Sequence, residues 1–500
     1  MTTPEGSSRV NPSGAARNTV FALLTQLSTA VFSAALTIFL VRELGPREFG
    51  LFSLAVSIGA LVLLPSDFGI SGSTARFAAE RRTEPGAVAS LLSDALRLKL
   101  AIGGVVSAAM ILLAGPIAAA YGEPSLAWPI RWLAIAVLGQ SLVAFYRYAF
   151  NALRDASVGL RIVLGESAVE CGASVALVVA AGGAAGASAG RAAGYAFGAL
   201  LALGMTVRRL GPRVIRRSHR LGDARRRLAR YAGALFVIET AFAASVQVAP
   251  LMIGGFLGPR EVGLFQAPNR LLVVLGYPGV SLSHGVAPRM ARSEDHEPDV
   301  ETFAGGLRFL IIFHALILAP LLVWAGPIVD LVLGPDYERS AEIIQVLGPY
   351  IFVMGLSNVL AVGLNYMGEA RRRLPVSVME VGLTVGLTAA LVPTIGLVGA
   401  AIAADVVSVL FVVLLLRIIV RLVDLPLRPL FLATVRALLA AAAAAGVLLA
   451  YGTEFLSIGE WLVGGAGALA AFAGVLLVTG ELTLDELGRW WRAARSAAGK

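Results

Sequence analysis

The sequence predicts an all-α polytopic membrane protein of about fourteen transmembrane helices, and three observations lead there. Of the 500 residues 57% are hydrophobic and only 15% charged, too little polar surface for a water-soluble chain of this length. The apolar runs are about 20 to 28 residues long, which suits membrane-crossing helices, whereas barrel strands run about 10 residues and alternate strictly. Lysine and arginine collect on every second connection, as they do when those connections face the cytoplasm.

Taken in order, the spans fall at 17–42, 48–76, 90–115, 125–149, 157–182, 187–208, 230–257, 261–288, 303–325, 339–366, 373–393, 396–420, 430–451 and 457–479. Residues 1–16 are a flexible cytoplasmic start rich in Ser, Gly and Pro. They lack a charged segment followed by a short apolar core and a cleavage site, so the first apolar run is a retained helix. Connections are short, and none can house a soluble domain; the longest, 209–229, is strongly basic. It reads as a tether from span 6 to span 7 that sets topology; the alternative is a segment that binds anionic lipid headgroups. The tail, 481–500, sets Trp490 and Trp491 among Arg489, Arg492 and Arg495, the pattern of an amphipathic helix lying on the inner face. The Ala/Gly-rich stretches 181–193 and 437–446 suit close helix packing.

With the N-terminus inside and fourteen spans, the inside segments carry 34 lysines and arginines, the outside segments 6, and Arg270 is left in mid-membrane, which accounts for all 41. Shifting the count by one helix scrambles this bias, so both termini are placed in the cytoplasm. The net charge of +9 therefore reflects topology, and no nucleic-acid partner is implied. The single cysteine, Cys171, lies inside an apolar run and reads as a packing residue, with neither a disulfide framework nor a thiolate metal site available.

The chain repeats itself. Leu44–Phe52 and Leu257–Phe265 agree at eight of nine positions, at an offset of 213. Ala114–Ile117 recurs as Ala325–Ile328 at 211, Pro65 and Arg76 fall against Pro278 and Arg289 at 213, and Asn151 and Glu166 fall against Asn365 and Glu380 at 214. The repeat unit is thus six helices, giving an N-lobe at 17–208 and a C-lobe at 230–420, pseudo-symmetric about an axis along the membrane normal with a cavity between them. Spans 13 and 14 (430–479) lie outside the repeat. In each copy the Gly-Pro-Arg-Glu turn reads as a corner: Gly and Pro stop one helix, and Glu48 or Glu261 opens the next near its positive end.

Three stretches carry a resemblance: FLVRELGPREFGLFSLAVS (39–57), DFGISGSTARFAAE (67–80) and LGPREVGLFQAPNRLL (257–272). They resemble the polysaccharide-transport branch of the multidrug/oligosaccharidyl-lipid/polysaccharide exporter superfamily, which includes Wzx-type flippases of O-antigen and exopolysaccharide repeat units. The resemblance covers spans 1–12. It implies two six-helix lobes around a central cavity, alternating access, and a lipid-pyrophosphate-linked oligosaccharide as cargo for cell-surface polysaccharide biosynthesis. It also implies a location in the inner (plasma) membrane and no cofactor. Drug/cation antiporters of the same superfamily, usually with twelve helices, are the alternative.

Ionisable side chains inside a bilayer cost several kcal/mol unless paired or solvated, so each is a candidate for function. At about 1.5 Å per residue, Arg270 lies about 14 Å into span 8 and Glu239 about 15 Å into span 7. Asp405 in span 12 and Glu170 in span 5 sit at similar depth, while Asp67, Arg76 and Arg147 lie nearer the inner side. Arg270, helped by Arg76 and Arg147, offers the planar fork of donors that matches pyrophosphate oxygens. Asn269 and Gln26 add hydrogen bonds. Glu239, Asp405, Glu170 and Asp67 are the candidates for charge pairing and for coupling. His284 and His314 read as packing or interface residues.

A sugar-pyrophosphate headgroup cannot shed its water to cross hydrocarbon unaided. With the inside negative, two negative charges moving outward gain roughly 4.6 kcal/mol per 100 mV. The driving force is thus either this potential or a proton or sodium gradient. An enzyme reading needs a substantial outer loop carrying acidic or metal-binding residues; the outer loops are short, and the expectation is a transporter without catalytic or metal residues. Its partners are the lipid-linked oligosaccharide, membrane lipids and the polymerase or glycosyltransferases of the same route, and the expected state is a monomer, since the cavity forms within one chain.

Overall fold

The computed structural model describes residues 12–67, 69–81, 84–214, 246–291, 297–454 and 456–483. The helices among them are α1 Pro12–Asp67, α2 Ile70–Glu80, α3 Pro85–Ala120, α4 Ala127–Ala152, α5 Ala156–Ala181, α6 Gly183–Leu210, α7 Val246–Leu257, α8 Pro259–Leu275 and α9 Tyr277–Val286. They continue as α10 Val300–Val323, α11 Ala325–Val332, α12 Ser340–Val346, α13 Gly348–Tyr366, α14 Ala370–Ile395, α15 Leu397–Val420, α16 Leu427–Ala450 and α17 Ile458–Val478. No strand occurs among the described residues. The fold is all-α and polytopic, as its hydropathy requires.

Among the described residues, eleven stretches are long and apolar enough to cross a membrane. Three further spans reconcile this with fourteen. Leu24–Asp67 is 44 residues long, which at about 1.5 Å per residue is about twice a bilayer core, and the chain turns within it at Gly45 (φ 67), so it holds spans 1 and 2. α6 is 28 residues long, and its many alanines and glycines lower its hydropathy. α7 is the described end of span 7.

Contacts group the chain into two units, residues 1–263 and 264–500. In the first, both copies of the repeated corner are present. Gly45 (φ 67) and Gly258 (φ 92) take the left-handed turn that lets one helix end and the next begin. The fifth residue after each, Gly50 and Gly263, is needed for a different reason. A Cβ on Gly50 would stand 1.7 Å from the Pro259 carbonyl oxygen, and one on Gly263 would stand 1.9 Å from the Pro46 carbonyl oxygen. The two corners therefore cross backbone to backbone, reciprocally. Glu48 does not serve its own helix: its Oε2 accepts the backbone N–H of Ala184 at 2.8 Å, in the first turn of α6.

α5 and α6 pack along a glycine ridge at four-residue spacing. A Cβ on Gly190 would lie 2.3 Å from Ser174 Cα, one on Gly194 2.5 Å from Glu170 Cβ, and one on Gly198 2.8 Å from Glu166 Cβ. Small residues at this spacing let two membrane helices approach closely. The same approach seats the polar side chains of α5 against the α6 backbone. Cys171, half-buried, reaches the Phe32 carbonyl of α1 at 3.8 Å, in keeping with a packing role.

In the second unit, α10, α13, α15, α16 and α17 share one apolar core around Phe303, Leu310, Leu415, Ala437, Ala444 and Leu476. Trp324 closes it at one end, edge-on to Trp461 at 4.9 Å and donating to the Gly452 carbonyl at 3.2 Å. At the other end Glu481, 4% exposed, accepts from Arg308 Nε at 2.6 Å and Arg436 Nη1 at 2.9 Å, pinning the end of α17 to α10 and α16. A Ser457–Glu460 capping box starts α17. Residues 215–229 of the basic linker, 484–500 of the tail and 1–11 of the N-terminal segment lie outside the described residues.

Candidate functional site

An assembly of charged side chains drawn from different spans lies inside the first unit, on the face of α5 that meets α6. Glu166, Glu170 and Ser174 follow one another at i, i+4 and i+8 and are all buried. Arg191, one turn before Gly194 on α6, reaches Glu170 Oε1 through Nη1 at 2.6 Å. Its Nη2 donates to Tyr195 Oη at 3.3 Å, and the guanidinium stands 5.0 Å from the centre of that ring. Arg191 also acts electrostatically on Glu166, as does Arg147 from α4. The group holds two carboxylates, two guanidiniums and a phenol, where an unpaired charge is costly, so the arrangement is tied to its charge state.

A second charged pair, its lysine buried, lies at the break in span 2, where Gly69 (φ 70) separates α1 from α2. Asp67 Oδ1 holds both Lys99 Nζ and Ser71 Oγ. Lys99 is fully buried on α3, 2.9 Å from Ser71 Oγ and 5.8 Å from the centre of the Phe145 ring. It is one of only two lysines in the chain. Apart from Lys500, arginine carries the positive charge everywhere else, and a compact ammonium suits this three-sided cradle.

The remaining sequence candidates are placed separately. Arg76 lies on α2, 56% exposed, 3.5 Å from Glu80 one turn on. Gln26 is half-buried on α1. In the second unit, Arg270 and Asn269 are half-buried on α8, with Asn269 Nδ2 3.5 Å from Gln266 Oε1. Asp405, on α15, accepts the backbone N–H of Tyr350 at 2.8 Å, so its carboxylate sits at the positive end of α13. His314 is buried against Gly355, with Nδ1 2.9 Å from the Leu310 carbonyl oxygen, and His284 Nδ1 is 2.7 Å from that of Val280. Glu239 lies outside the described residues.

The structure thus joins Glu170 and Arg147 through Glu166, and gives Asp67 a partner on another span. Sequence reasoning passed over Glu166, Arg191, Tyr195 and Lys99. Glu166 served only as a marker of the repeat, Arg191 as an outside charge and Lys99 as an inside one. Two signals in the sequence point to them: carboxylates at i and i+4 in an apolar run facing glycines at the same spacing, and a lone lysine among arginines. Among the described residues no group of three or more His, Cys, Asp or Glu could hold a metal ion.

Comparison with known proteins agrees with this architecture. No curated protein sequence matches the chain. Among solved structures, the lipid II flippase MurJ in an inward closed conformation superposes with a TM-score of 0.76 at 11% identity, covering 92% of this chain and 98% of that one. An inward-facing multidrug resistance MATE family transporter of the MOP superfamily gives 0.60 at 13% identity, covering 81% and 98%. The MATE multidrug transporter DinF-BH in complex with R6G gives 0.60 at 16%, covering 84% and 98%. At these identities the likeness is one of fold. Residues 15–294, more than half of the chain, match the polysaccharide biosynthesis protein family. The chain belongs to that family.

Proposed function

We propose that this protein is a flippase that carries a lipid-pyrophosphate-linked oligosaccharide from the inner to the outer leaflet by alternating access, for cell-surface polysaccharide synthesis. The family match over residues 15–294 carries the reading. It is supported by a fold shared with a lipid II flippase over 92% of the chain, against 81–84% for the two drug transporters. Both termini face the cytoplasm in this reading, and the cargo's glycosyltransferases and polymerase are its neighbours in the membrane.

Arg270, half-buried on α8 beside Asn269, is the residue we assign to the pyrophosphate, because its fork of donors pairs with phosphate oxygens two at a time. The cluster of Glu166, Glu170, Arg191 and Tyr195 is the coupling element. A coupling cation that binds at Glu170 competes with Arg191 for it, and so changes how tightly α5 is held to α6. Asp405 and the Asp67–Lys99 pair hold their helices rather than the cargo in this scheme.

The deciding experiment deletes the gene and restores it as wild type or as Arg270→Ala. Lipid-linked oligosaccharide should accumulate on the inner leaflet, cleared by wild type and not by the variant. Clearance by Arg270→Ala would remove that residue from the site. No accumulation on deletion, with changed resistance to cationic drugs, would favour the antiporter.

A further inference from the structure

The turn that closes α4 recurs at the matching place in the repeat, at the end of α13. In the first copy the backbone N–H groups of Leu153, Arg154 and Asp155 donate to Ala149, Asn151 and Phe150 at 3.0, 3.0 and 2.9 Å. In the second, 214 residues on, those of Met367, Gly368 and Glu369 donate to Gly363, Asn365 and Leu364 at 3.0, 3.1 and 3.0 Å. Both end a helix through a left-handed residue, the position at which glycine is the ordinary choice. The second copy has glycine there, Gly368 at φ 79. The first has Arg154 at φ 61, the one non-glycine residue with positive φ among those described. A side chain in that conformation is strained, and such strain gathers where a side chain is used.

Arg154 lines a cavity of about 430 Å³ together with Phe21, Asp155, Ser157, Arg161 and Arg209. Asp155 is already engaged there: its Oδ2 is 2.5 Å from Arg209 Nη1, and its Oδ1 accepts from Ser157 Oγ at 2.8 Å. Among the described lining residues, three guanidiniums stand with one carboxylate, a net formal charge of +2. Arg154 and Arg161 are exposed and Phe21 is half-buried, so the cavity pairs a cationic side with an aromatic one. The segments that form it, the start of span 1, the connection between spans 4 and 5 and the end of span 6, all reach the face that the arginine distribution assigns to the cytoplasm.

We propose that this cavity binds the pyrophosphate headgroup of a prenyl-type lipid at the inner leaflet, a loading seat used before the cargo enters the protein. Its volume falls within the range of small-ligand sites, its charge matches a pyrophosphate, and guanidinium forks are the donors that pair with phosphate. Arg154 and Arg161 face the headgroup, and Phe21 meets the first carbons of the chain. The identity of the lipid as cargo rests on the flippase reading; recognition of a lipid pyrophosphate does not.

The test measures binding of farnesyl pyrophosphate to the purified full chain, in an Arg270→Ala background so that the interior residue does not contribute. Arg154→Gly and Arg161→Ala should each weaken binding about tenfold. Arg154→Gly should also raise the unfolding temperature or leave it unchanged, because glycine relieves the strained turn; a purely structural arginine would lower it and leave binding intact. Unchanged affinity in both variants overturns the site. Equal affinity for inorganic pyrophosphate makes it a soluble-anion site, and equal affinity for phosphatidylglycerol vesicles makes it a seat for bulk phospholipid; either overturns the assignment. Binding that fails in these variants while Arg270→Ala still clears the oligosaccharide in cells separates the two claims.

Discussion

Gly50→Ala adds one carbon where the backbone of the second corner already stands. The new Cβ would lie 1.7 Å from the Pro259 carbonyl oxygen, and 2.9 Å from the Gly263 nitrogen. Ordinary non-bonded separation is about 3.5 Å, so the two corners must part by roughly 1.5 Å or more. A gap of about 0.5–1 Å already forfeits a quarter to a half of each dispersion contact, so this crossing would be lost as a packed interface. Overpacking costs typically about 1–3 kcal/mol, and here no flexible side-chain end can yield, because the obstacle is backbone. Gly263→Ala should cost about as much, since its Cβ meets the Pro46 carbonyl oxygen at 1.9 Å. The double variant should cost less than the sum, because one separation accommodates both methyls. Gly104 on α3 has nothing within 4 Å of its Cβ, and Gly104→Ala should be neutral or stabilising by up to about 1 kcal/mol. Thermal unfolding of the detergent-solubilised protein reads all four. If Gly50→Ala and Gly104→Ala unfold at the same temperature, or if the two corner variants add fully, the reciprocal crossing is wrong.

Other expectations follow from single contacts. Glu481→Ala leaves Arg308 and Arg436, each about a third exposed, facing one another without their shared carboxylate; we expect a loss of about 1–3 kcal/mol, read as a lower unfolding temperature and easier proteolysis after α17. Lys99→Met strands Asp67, whose side chain is 30% exposed, and should destabilise by about 2 kcal/mol, with Asp67→Asn restoring much of it in the double variant; no recovery would mean the two are not coupled. Arg191→Ala removes the cation between α5 and α6, and a transport assay across proton and sodium gradients should show an altered ion dependence; a uniform loss at every gradient would mark the cluster as structural. Asp299, just before α10, accepts from Thr302 at 3.0 Å and pairs with Arg289, and these bonds hold its carboxyl below the usual carboxylate range. Its contribution is therefore full at neutral pH and fades as pH falls through that depressed value, so the stability gap between wild type and Asp299→Ala should close in acid. A gap that persists there would mean the cap does not depend on the charge.

Much of the fold is written in short-range pattern. Composition and run length require membrane helices, because hydrocarbon offers the backbone no other partner. The charge bias predicts fourteen spans, and the nine-residue repeat marks the two corners, down to the glycines that turn them. The physical reason is that hydropathy, charge placement and backbone conformation are properties of single residues and their chain neighbours. Pairing is not. That Glu48 serves α6, that Lys99 on α3 meets Asp67 on α1, that Arg191 lies against Glu170 and that Glu481 gathers two arginines from other helices depends on which helix faces come together. An apolar helix carries a weak directional signal in lipid, where every face is greasy, so sequence could place these charges by depth but not by partner. It was the close approach permitted by Gly190, Gly194 and Gly198, a tertiary fact, that decided which carboxylates share one arginine.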